Sequence, residues 1–197
     1  LIRLGSHRID FIGGPERRVS RDAWYPLLRT QYSIWNILNR YRGGQMGNFH
    51  RAFRLQGPLD SAALRHACRA LVERHEAWRS QYQWIEGRPS QRVLQKFALE
   101  FPETDLSALP LEAALVEVRR RQEADIRRPF DPANGAVFRS ELLRIGPEDH
   151  VLLLGIDHLV FDAWSYGILV QELTAAYEAF REGRDWKPEP LPFQCVD

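Results

Sequence analysis

The chain has 197 residues, which suits one domain or one lobe of a larger domain. Its 27 lysines and arginines nearly balance 26 acidic residues, so a net charge of +1 gives no strong attraction for nucleic acid or a membrane surface. Two distant cysteines, Cys68 and Cys195, lack metal-site spacing, and we expect neither a metal centre nor a disulfide scaffold. Without a long apolar run or a signal-peptide pattern, a cytoplasmic protein is expected.

Periodicity along the chain predicts an α/β protein. Residues 1–22 are locally basic and are interpreted as a linker or docking segment. Apolar residues at helical spacing predict helices at 30–41, 61–75, 111–127 and 164–183. Alternating or continuous apolar residues predict strands at 49–55, in short pieces between 83 and 101, at 137–145 and at 150–156. The last two strands form a predicted hairpin.

One junction stands out as a candidate site, because polar residues follow a buried strand and precede an amphipathic helix. His158 and Asp162 lie at this junction, where free N–H groups of a helix N-terminus are available. A histidine and an aspartate in this place are suited to acid–base chemistry. The alternative is structural, with His158 satisfied at a strand end and Asp162 serving as an N-cap.

The stretch from Asp157 to Ser165 reads D-H-L-V-F-D-A-W-S and resembles a motif of condensation domains in nonribosomal peptide synthetases. That motif is H-H-x-x-x-D-G, often followed by W-S. His158, Asp162, Trp164 and Ser165 match it, whereas Asp157 replaces the first histidine and Ala163 replaces the glycine. Further similar segments are Gln31–Trp35, Arg74–Tyr82, Arg128–Asp131 and Leu191–Gln194, so the resemblance covers residues 22–197.

The resemblance implies a fold and a domain organisation. Residues 23–185 are identified as an N-terminal lobe with a chloramphenicol-acetyltransferase-like α+β sandwich, in which helices pack on a mixed or antiparallel sheet. The proline-rich residues 186–197 are then a linker toward a C-terminal lobe that this chain does not contain. Arg74, His75 and Arg79 are expected to support the site, and pairing of Arg74 or Arg79 with Asp162 is one way to do so.

The resemblance also implies amide bond formation in the synthesis of secondary metabolites such as antibiotics. The donor is an acyl or peptidyl thioester on the phosphopantetheine arm of a carrier protein, and the acceptor is an amine, usually on a second carrier. No cofactor is bound directly. His158 would accept or orient a proton, and Asp162 would hold the loop. The expected partners are both peptidyl carrier proteins, the C-terminal lobe and neighbouring synthetase domains.

Two alternatives follow from the departures from the motif. Asp157, Asp162 and Ser165 also satisfy D-x-x-x-x-D-x-x-S, the pattern of heterocyclization domains, but the retained His158 favours the condensation branch. The replaced histidine and glycine are equally compatible with a non-catalytic module that binds a carrier protein or a partner enzyme. Asp157 would raise the pKa of His158 if the two side chains met.

Overall fold

A four-stranded sheet lies at the centre of the fold, and helices pack on its two faces. The structure is a computed structural model and describes residues 2–4, 7–9, 19–40 and 48–197. Its strands are β1 (Ile2–Leu4), β2 (His7–Ile9), β3 (Tyr25–Pro26), β4 (Phe49–Gln56), β5 (Ser80–Ile85), β6 (Arg88–Val93), β7 (Glu103–Asp105), β8 (Phe138–Gly146) and β9 (Asp149–Ile156). Its helices are α1 (Arg29–Arg40), α2 (Ser61–Arg74), α3 (Leu111–Arg127) and α4 (Ser165–Arg181), with 3-10 turns at Glu76–Arg79 and Pro132–Asn134.

The central sheet is mixed, as predicted. Its order is β4-β9-β8-β7, with β9 antiparallel to both neighbours and β7 parallel to β8. The predicted hairpin of β8 and β9 is confirmed. Strand β9 is therefore central, and it delivers the chain to the candidate site at its end.

Both faces of β9 are covered, which explains its continuous apolar sequence. Side chains alternate across a strand. Leu152, Leu154 and Ile156 pack in the core shared with α2 and α4. Val151 and Leu153 pack in a second core with α3. A helix–sheet–helix sandwich results, and it holds the end of β9 rigidly.

A second, three-stranded antiparallel sheet has the order β3-β6-β5 and lies beside the candidate site. Its buried Tyr82 clusters with Trp35 of α1, Val137 and Leu159. Leu159 belongs to the stretch that follows β9. The second sheet therefore anchors the chain segment that carries the candidate residues.

Most of the helix and strand predictions are confirmed. Asp60 caps α2, because its Oδ1 accepts a hydrogen bond from Ala63 N at 3.0 Å. The prediction of short strands between 83 and 101 is only partly right, since β6, the last strand of this stretch, ends at Val93. Phe97, Leu99 and Phe101 alternate like a strand and pack on the core, but their segment forms no ladder with β8. The alternation of apolar residues in this segment therefore reflects the burial of every second side chain, and not pairing with a neighbouring strand.

The N-terminal end of the chain is described in part, and the C-terminal end is described in full. Residues 10–18 and residues 41–47, which include the end of the helix predicted at 30–41, lie outside the described residues. Residues 186–197 form no helix or strand and fold back on the lobe, where Gln194 Nε2 donates to Arg74 O at 2.8 Å and Asp197 bonds to Arg21 at 2.6 Å. No helix within the described ranges combines the length and the apolar character that crossing a membrane requires.

Candidate active site

The corner between β9 and α4 spans residues 157–164 and is fixed by hydrogen bonds from its backbone N–H groups. Each N–H from 157 to 160 finds an acceptor. The bonds join Asp157 N to Val137 O (2.9 Å), His158 N to Asn48 Oδ1 (3.2 Å), Leu159 N to Asp157 Oδ1 (2.9 Å) and Val160 N to Asp157 O (3.1 Å). A turn with satisfied donors holds one conformation. The corner is therefore a rigid support for the side chains it carries.

The imidazole of His158 is half-buried and oriented by a main-chain carbonyl. Its Nδ1 lies 2.7 Å from Phe161 O. A carbonyl oxygen accepts and never donates, so Nδ1 carries the proton of the neutral ring. The lone pair of the neutral ring is then on Nε2. This tautomer is the one that an acid–base role at Nε2 requires.

Phe161 is held by its own ring. Its side chain is buried, and its ring centroid lies 4.6 Å from that of Phe49 and 6.1 Å from that of Trp78. Trp78 in turn stacks on Phe138 at 5.6 Å. Because the ring of Phe161 is packed from two sides, its carbonyl cannot move freely. The orientation of His158 thus depends on an aromatic cluster beneath the corner.

Asp162 lies just before α4 and bonds to the first residue of that helix. Its Oδ1 accepts hydrogen bonds from the backbone N (2.9 Å) and the hydroxyl (2.7 Å) of Ser165. These two bonds hold the pKa of the Asp162 carboxyl below its ordinary value. The side chain is exposed and makes no hydrogen bond to the His158 ring. Asp162 therefore has the capping role of the structural interpretation, although Trp164 occupies the N-cap position itself.

Asp157 is buried, with 3% of its surface exposed. Burial raises the pKa of its carboxyl, although the hydrogen bond from Leu159 N opposes the shift. Adjacent residues point in different directions along an extended chain. Accordingly, Asp157 bonds to Leu159 and His158 bonds to Phe161, so the two side chains do not pair. The carboxylate that replaces the first histidine of the motif is a structural element of the turn.

Ala163 and Trp164 form the outer part of the corner, where both are exposed. Ala163 does not have a positive φ. The backbone of this chain therefore does not need glycine at that position, and the replacement causes no strain. The side chain of Trp164 is 85% exposed, which is high for an indole.

The expected pairing of Arg74 or Arg79 with Asp162 is wrong. Arg74 Nε lies 3.0 Å from Glu172 Oε1, and His75 Nε2 lies 2.6 Å from Glu172 Oε2. Arg79 instead donates to Leu94 O at 2.6 Å. Asp162 already has its partner in Ser165, which is closer along the chain and needs no long side chain to order.

Glu172 lies on α4, two turns after the corner, and joins that helix to the end of α2. Burial by itself would raise the pKa of Glu172, but hydrogen bonds from His75 and Arg74 hold it below its ordinary value. The ring of His75 also contacts Trp78, with centroids 4.8 Å apart. Arg74 and His75 therefore bond to Glu172 of α4, and His75 also contacts Trp78, whereas neither residue bonds to Asp162.

Sequence reasoning missed three residues of this site: Asn48, Phe161 and Glu172. A signal for Glu172 existed, because a glutamate adjoins the apolar stripe of α4. Phe161 contacts His158 through its main-chain oxygen, and the identity of its side chain does not predict such a contact. Asn48 lies 110 positions from His158 along the chain, and no local pattern links the two.

The described residues contain no cluster of three or more histidine, cysteine, aspartate or glutamate side chains that is suited to a metal ion. A cavity of about 260 Å³ lies beside β8 and is lined by Phe97, Phe130, Phe138 and Arg139 among others. None of residues 157–165 lines this cavity. The His158 corner therefore lies apart from this cavity.

Comparison with known proteins relates this architecture to one family. Residues 22–195 match the family model described as "Condensation domain". Phosphinothricin tripeptide synthetase PhsC of Streptomyces viridochromogenes is 35% identical over 181 residues, which are 92% of this chain and 17% of that protein. Malpinin synthetase of Mortierella alpina is 33% identical over 183 residues, which are 91% of this chain and 2% of that protein.

Solved structures show the same fold. The first condensation domain of the calcium-dependent antibiotic synthetase has a TM-score of 0.77 and 24% identity, over 86% of this chain and 40% of that chain. The starter condensation domain of rhizomide synthetase RzmA has a TM-score of 0.74 and 23% identity, over 87% of this chain and 42% of that chain. This chain spans well under half of each solved chain. It belongs to the condensation-domain family of nonribosomal peptide synthetases.

Proposed function

We propose that this chain is the histidine-bearing N-terminal lobe of a condensation domain. Joined to a C-terminal lobe, it would form an amide between a carrier-bound acyl or peptidyl thioester and an amine. The observation that carries the proposal is the hydrogen bond from His158 Nδ1 to Phe161 O, which leaves the Nε2 lone pair available. This chain covers about two fifths of each solved condensation domain, which supports the proposal that a second lobe is its partner.

The chemistry follows from an already activated donor. The amine nitrogen attacks the thioester carbonyl carbon, the C–S bond breaks, and the thiolate of the phosphopantetheine arm leaves. Nε2 of His158 accepts the proton that the nitrogen loses and returns it to the departing sulfur. Alignment of the two tethered substrates supplies much of the acceleration, because it removes the entropy cost of their encounter. Proton transfer by a positioned side chain adds about 10²–10⁴-fold.

Asp162 acts in this proposal as a loop-holding residue. The pKa of its carboxyl is held below the ordinary value, and its Oδ1 accepts hydrogen bonds from the backbone N and the hydroxyl of Ser165. An ionised carboxylate with a depressed pKa is a weak base. The surrounding Asp157, Ala163 and Trp164 shape the corner, and Arg74, His75 and Arg79 support it from below.

Condensation is favoured over heterocyclization by the placement of Asp157. A carboxylate that acts on a substrate must be reached by it, yet Asp157 is buried and is bonded within its own turn. His158 is the more accessible titratable group of the pair, because it is only half-buried. The alternative of a non-catalytic binding module predicts carrier binding without turnover.

The partners in this proposal are donor and acceptor carrier proteins, the C-terminal lobe and neighbouring synthetase domains in the cytoplasm. An isolated lobe is expected to be inactive, because a tethered thioester would need walls from both lobes around His158. Substrates would arrive on phosphopantetheine arms, and no cofactor would be bound directly. The similarity to large peptide synthetases supports these assignments.

The test uses the complete two-lobe protein with loaded donor and acceptor carriers. His158→Ala is expected to lower the rate of amide formation by about 10²–10⁴-fold. His66→Ala is the matched control, since His66 lies exposed on α2 against Phe180 and away from the corner. Full activity of His158→Ala would contradict the proposal. Heterocyclization would be indicated by two results together: Asp162→Asn loses activity while His158→Ala keeps it, and the reaction requires a cysteine, serine or threonine acceptor.

A further inference from the structure

We infer that Asn48 is a positioning residue for His158, an inference that rests on the proposed function. Asn48 directly precedes β4, and its side-chain Oδ1 accepts the hydrogen bond of His158 N at 3.2 Å. A backbone nitrogen can only donate, so the amide oxygen of Asn48, and not its nitrogen, faces the corner. This bond joins two strands at the point where their pairing ends.

The register of the sheet explains why a side chain is needed here. Phe49 and Ile156 are the last pair of the β4–β9 ladder. One step further, Asp157 N turns to the opposite neighbour and donates to Val137 O. His158 thus lies beyond the last described pair of the β4–β9 ladder. There the side chain of Asn48, and not a main-chain carbonyl, accepts the hydrogen bond from His158 N.

His158 is thereby held at two independent points. Asn48 fixes its backbone nitrogen, and Phe161 O fixes Nδ1 of its ring. Two fixed points define the direction of Nε2, whereas the ring bond alone leaves the backbone free to shift. Displacement of a catalytic group by about 1 Å costs on the order of 10²-fold in rate. The expected effect of removing Asn48 is thus on the rate of the bound complex.

Three variants of the complete two-lobe protein test the inference. Asn48→Ala removes the acceptor and is expected to lower kcat about 10- to 100-fold, with KM little changed. Asn48→Asp keeps an acceptor of the same shape, so it is expected to keep kcat within a few-fold at its plateau. The added carboxylate near His158 raises the pKa of the base, which moves the acidic limb of the pH–rate profile to higher pH. Asn48→Ser is a milder truncation that is expected to give an intermediate loss.

A control separates positioning from general damage to the strand. Gln56 ends β4 at its other end and is exposed, so Gln56→Ala removes a side-chain amide from the same strand. It is expected to leave kcat unchanged. Wild-type kcat in folded Asn48→Ala or Asn48→Ser would overturn the inference. Equal losses in Asn48→Asp and Asn48→Ala would also overturn it, because the amide nitrogen would then be the group that matters.

Failure of the proposed function is distinguishable from failure of this inference. The tautomer of His158 can be read from its ring nitrogens by ¹⁵N NMR of histidine-labelled protein. The His158→Ala variant identifies which signals belong to this residue. The measurement does not require turnover. The wild type is expected to hold its proton on Nδ1, and Asn48→Ala is expected to give a mixture of tautomers. An unchanged ring spectrum in Asn48→Ala would overturn the inference even if the wild type proved inactive in amide formation.

Discussion

Nδ1 of His158 lies 2.7 Å from the carbonyl oxygen of Phe161, so one residue of the corner is oriented by another three positions later. The carbonyl belongs to a residue whose ring is buried between Phe49 and Trp78. Core packing and the orientation of the exposed edge of the imidazole are therefore coupled. Substitutions in the aromatic cluster are expected to change the His158 ring as well as the stability of the fold.

Trp78→Ala is expected to destabilise the fold by about 3–5 kcal/mol, which is the usual cost of truncating a large buried aromatic residue. Trp78 is 6% exposed and packs on Phe138 and Phe161. The matched control is Trp84→Ala, because Trp84 is 57% exposed on β5 and its loss should cost no more than about 0.5 kcal/mol. Denaturant unfolding monitors both, and similar losses in the two variants would contradict the burial of Trp78.

Asp162→Ala is expected to destabilise the start of α4 by about 0.5–2 kcal/mol, since it removes the acceptor of the Ser165 N–H. Asp162→Asn keeps an acceptor and should cost less. The pKa of Asp162 is lowered in the folded state. Its contribution to stability is therefore complete above the ordinary carboxyl pKa and is lost as the pH falls through the folded value. Unfolding curves of the wild type and Asp162→Ala at several pH values measure this contribution. The destabilisation by Asp162→Ala should shrink as the pH falls, because the carboxylate loses its charge. A destabilisation that grew as the pH fell would contradict the prediction.

The parts of the fold that the sequence predicted correctly depend on local patterns. Apolar residues at helical spacing predict α2, and a continuous apolar run predicts the buried strand β9. The segment from Phe97 to Phe101 shows the limit of such patterns. Alternation there was produced by burial of every second side chain, which a strand and an unpaired extended segment share.

The site was predicted less completely than the fold, because its geometry depends on long-range contacts. The sequence indicated His158 and the capping role open to Asp162. It did not indicate that Glu172 is the partner of Arg74 and His75. The chain has many acidic residues, and the sequence alone does not select one of them as the partner. The bond from His158 N to Asn48 requires the β4–β9 register, which becomes known only when the strands are paired.

Asp157→Asn is expected to stabilise the fold at neutral pH. Burial raises the pKa of the Asp157 carboxyl, so the folded state retains a proton over a range in which the unfolded state has released it. Stability therefore falls as the pH rises through that range. The amide keeps an oxygen for Leu159 N and carries no charge. The gain in stability from Asp157→Asn should be present at pH 7 and should vanish below the ordinary carboxyl pKa of about 3.9.

The comparison of Asp157→Asn with Asp162→Asn makes this prediction sharper. The pKa values of the two carboxyls are shifted in opposite directions, so the two amide substitutions should have effects of opposite sign at neutral pH. Thermal unfolding at pH 7 and at pH 4 measures both. A lower melting temperature of Asp157→Asn at pH 7 would show that its carboxylate is stabilised in the turn rather than penalised by burial.

Gly155→Ala is expected to destabilise the fold by about 1–3 kcal/mol, the range for overpacking a filled site. A Cβ at Gly155 would lie 2.8 Å from Asp125 Oδ2 and 3.2 Å from His50 Nδ1. These two atoms are hydrogen-bonded at 2.9 Å across the face of β9, so the added methyl group would push the pair apart. Gly167→Ala is the control, because a Cβ at Gly167 on α4 meets nothing within 4 Å. An alanine in an exposed helix is favoured by about 0.5–1 kcal/mol over glycine, so this control should gain stability. Denaturant midpoints of the two variants should move in opposite directions, and an unchanged midpoint in Gly155→Ala would show that the His50–Asp125 pair can yield without cost.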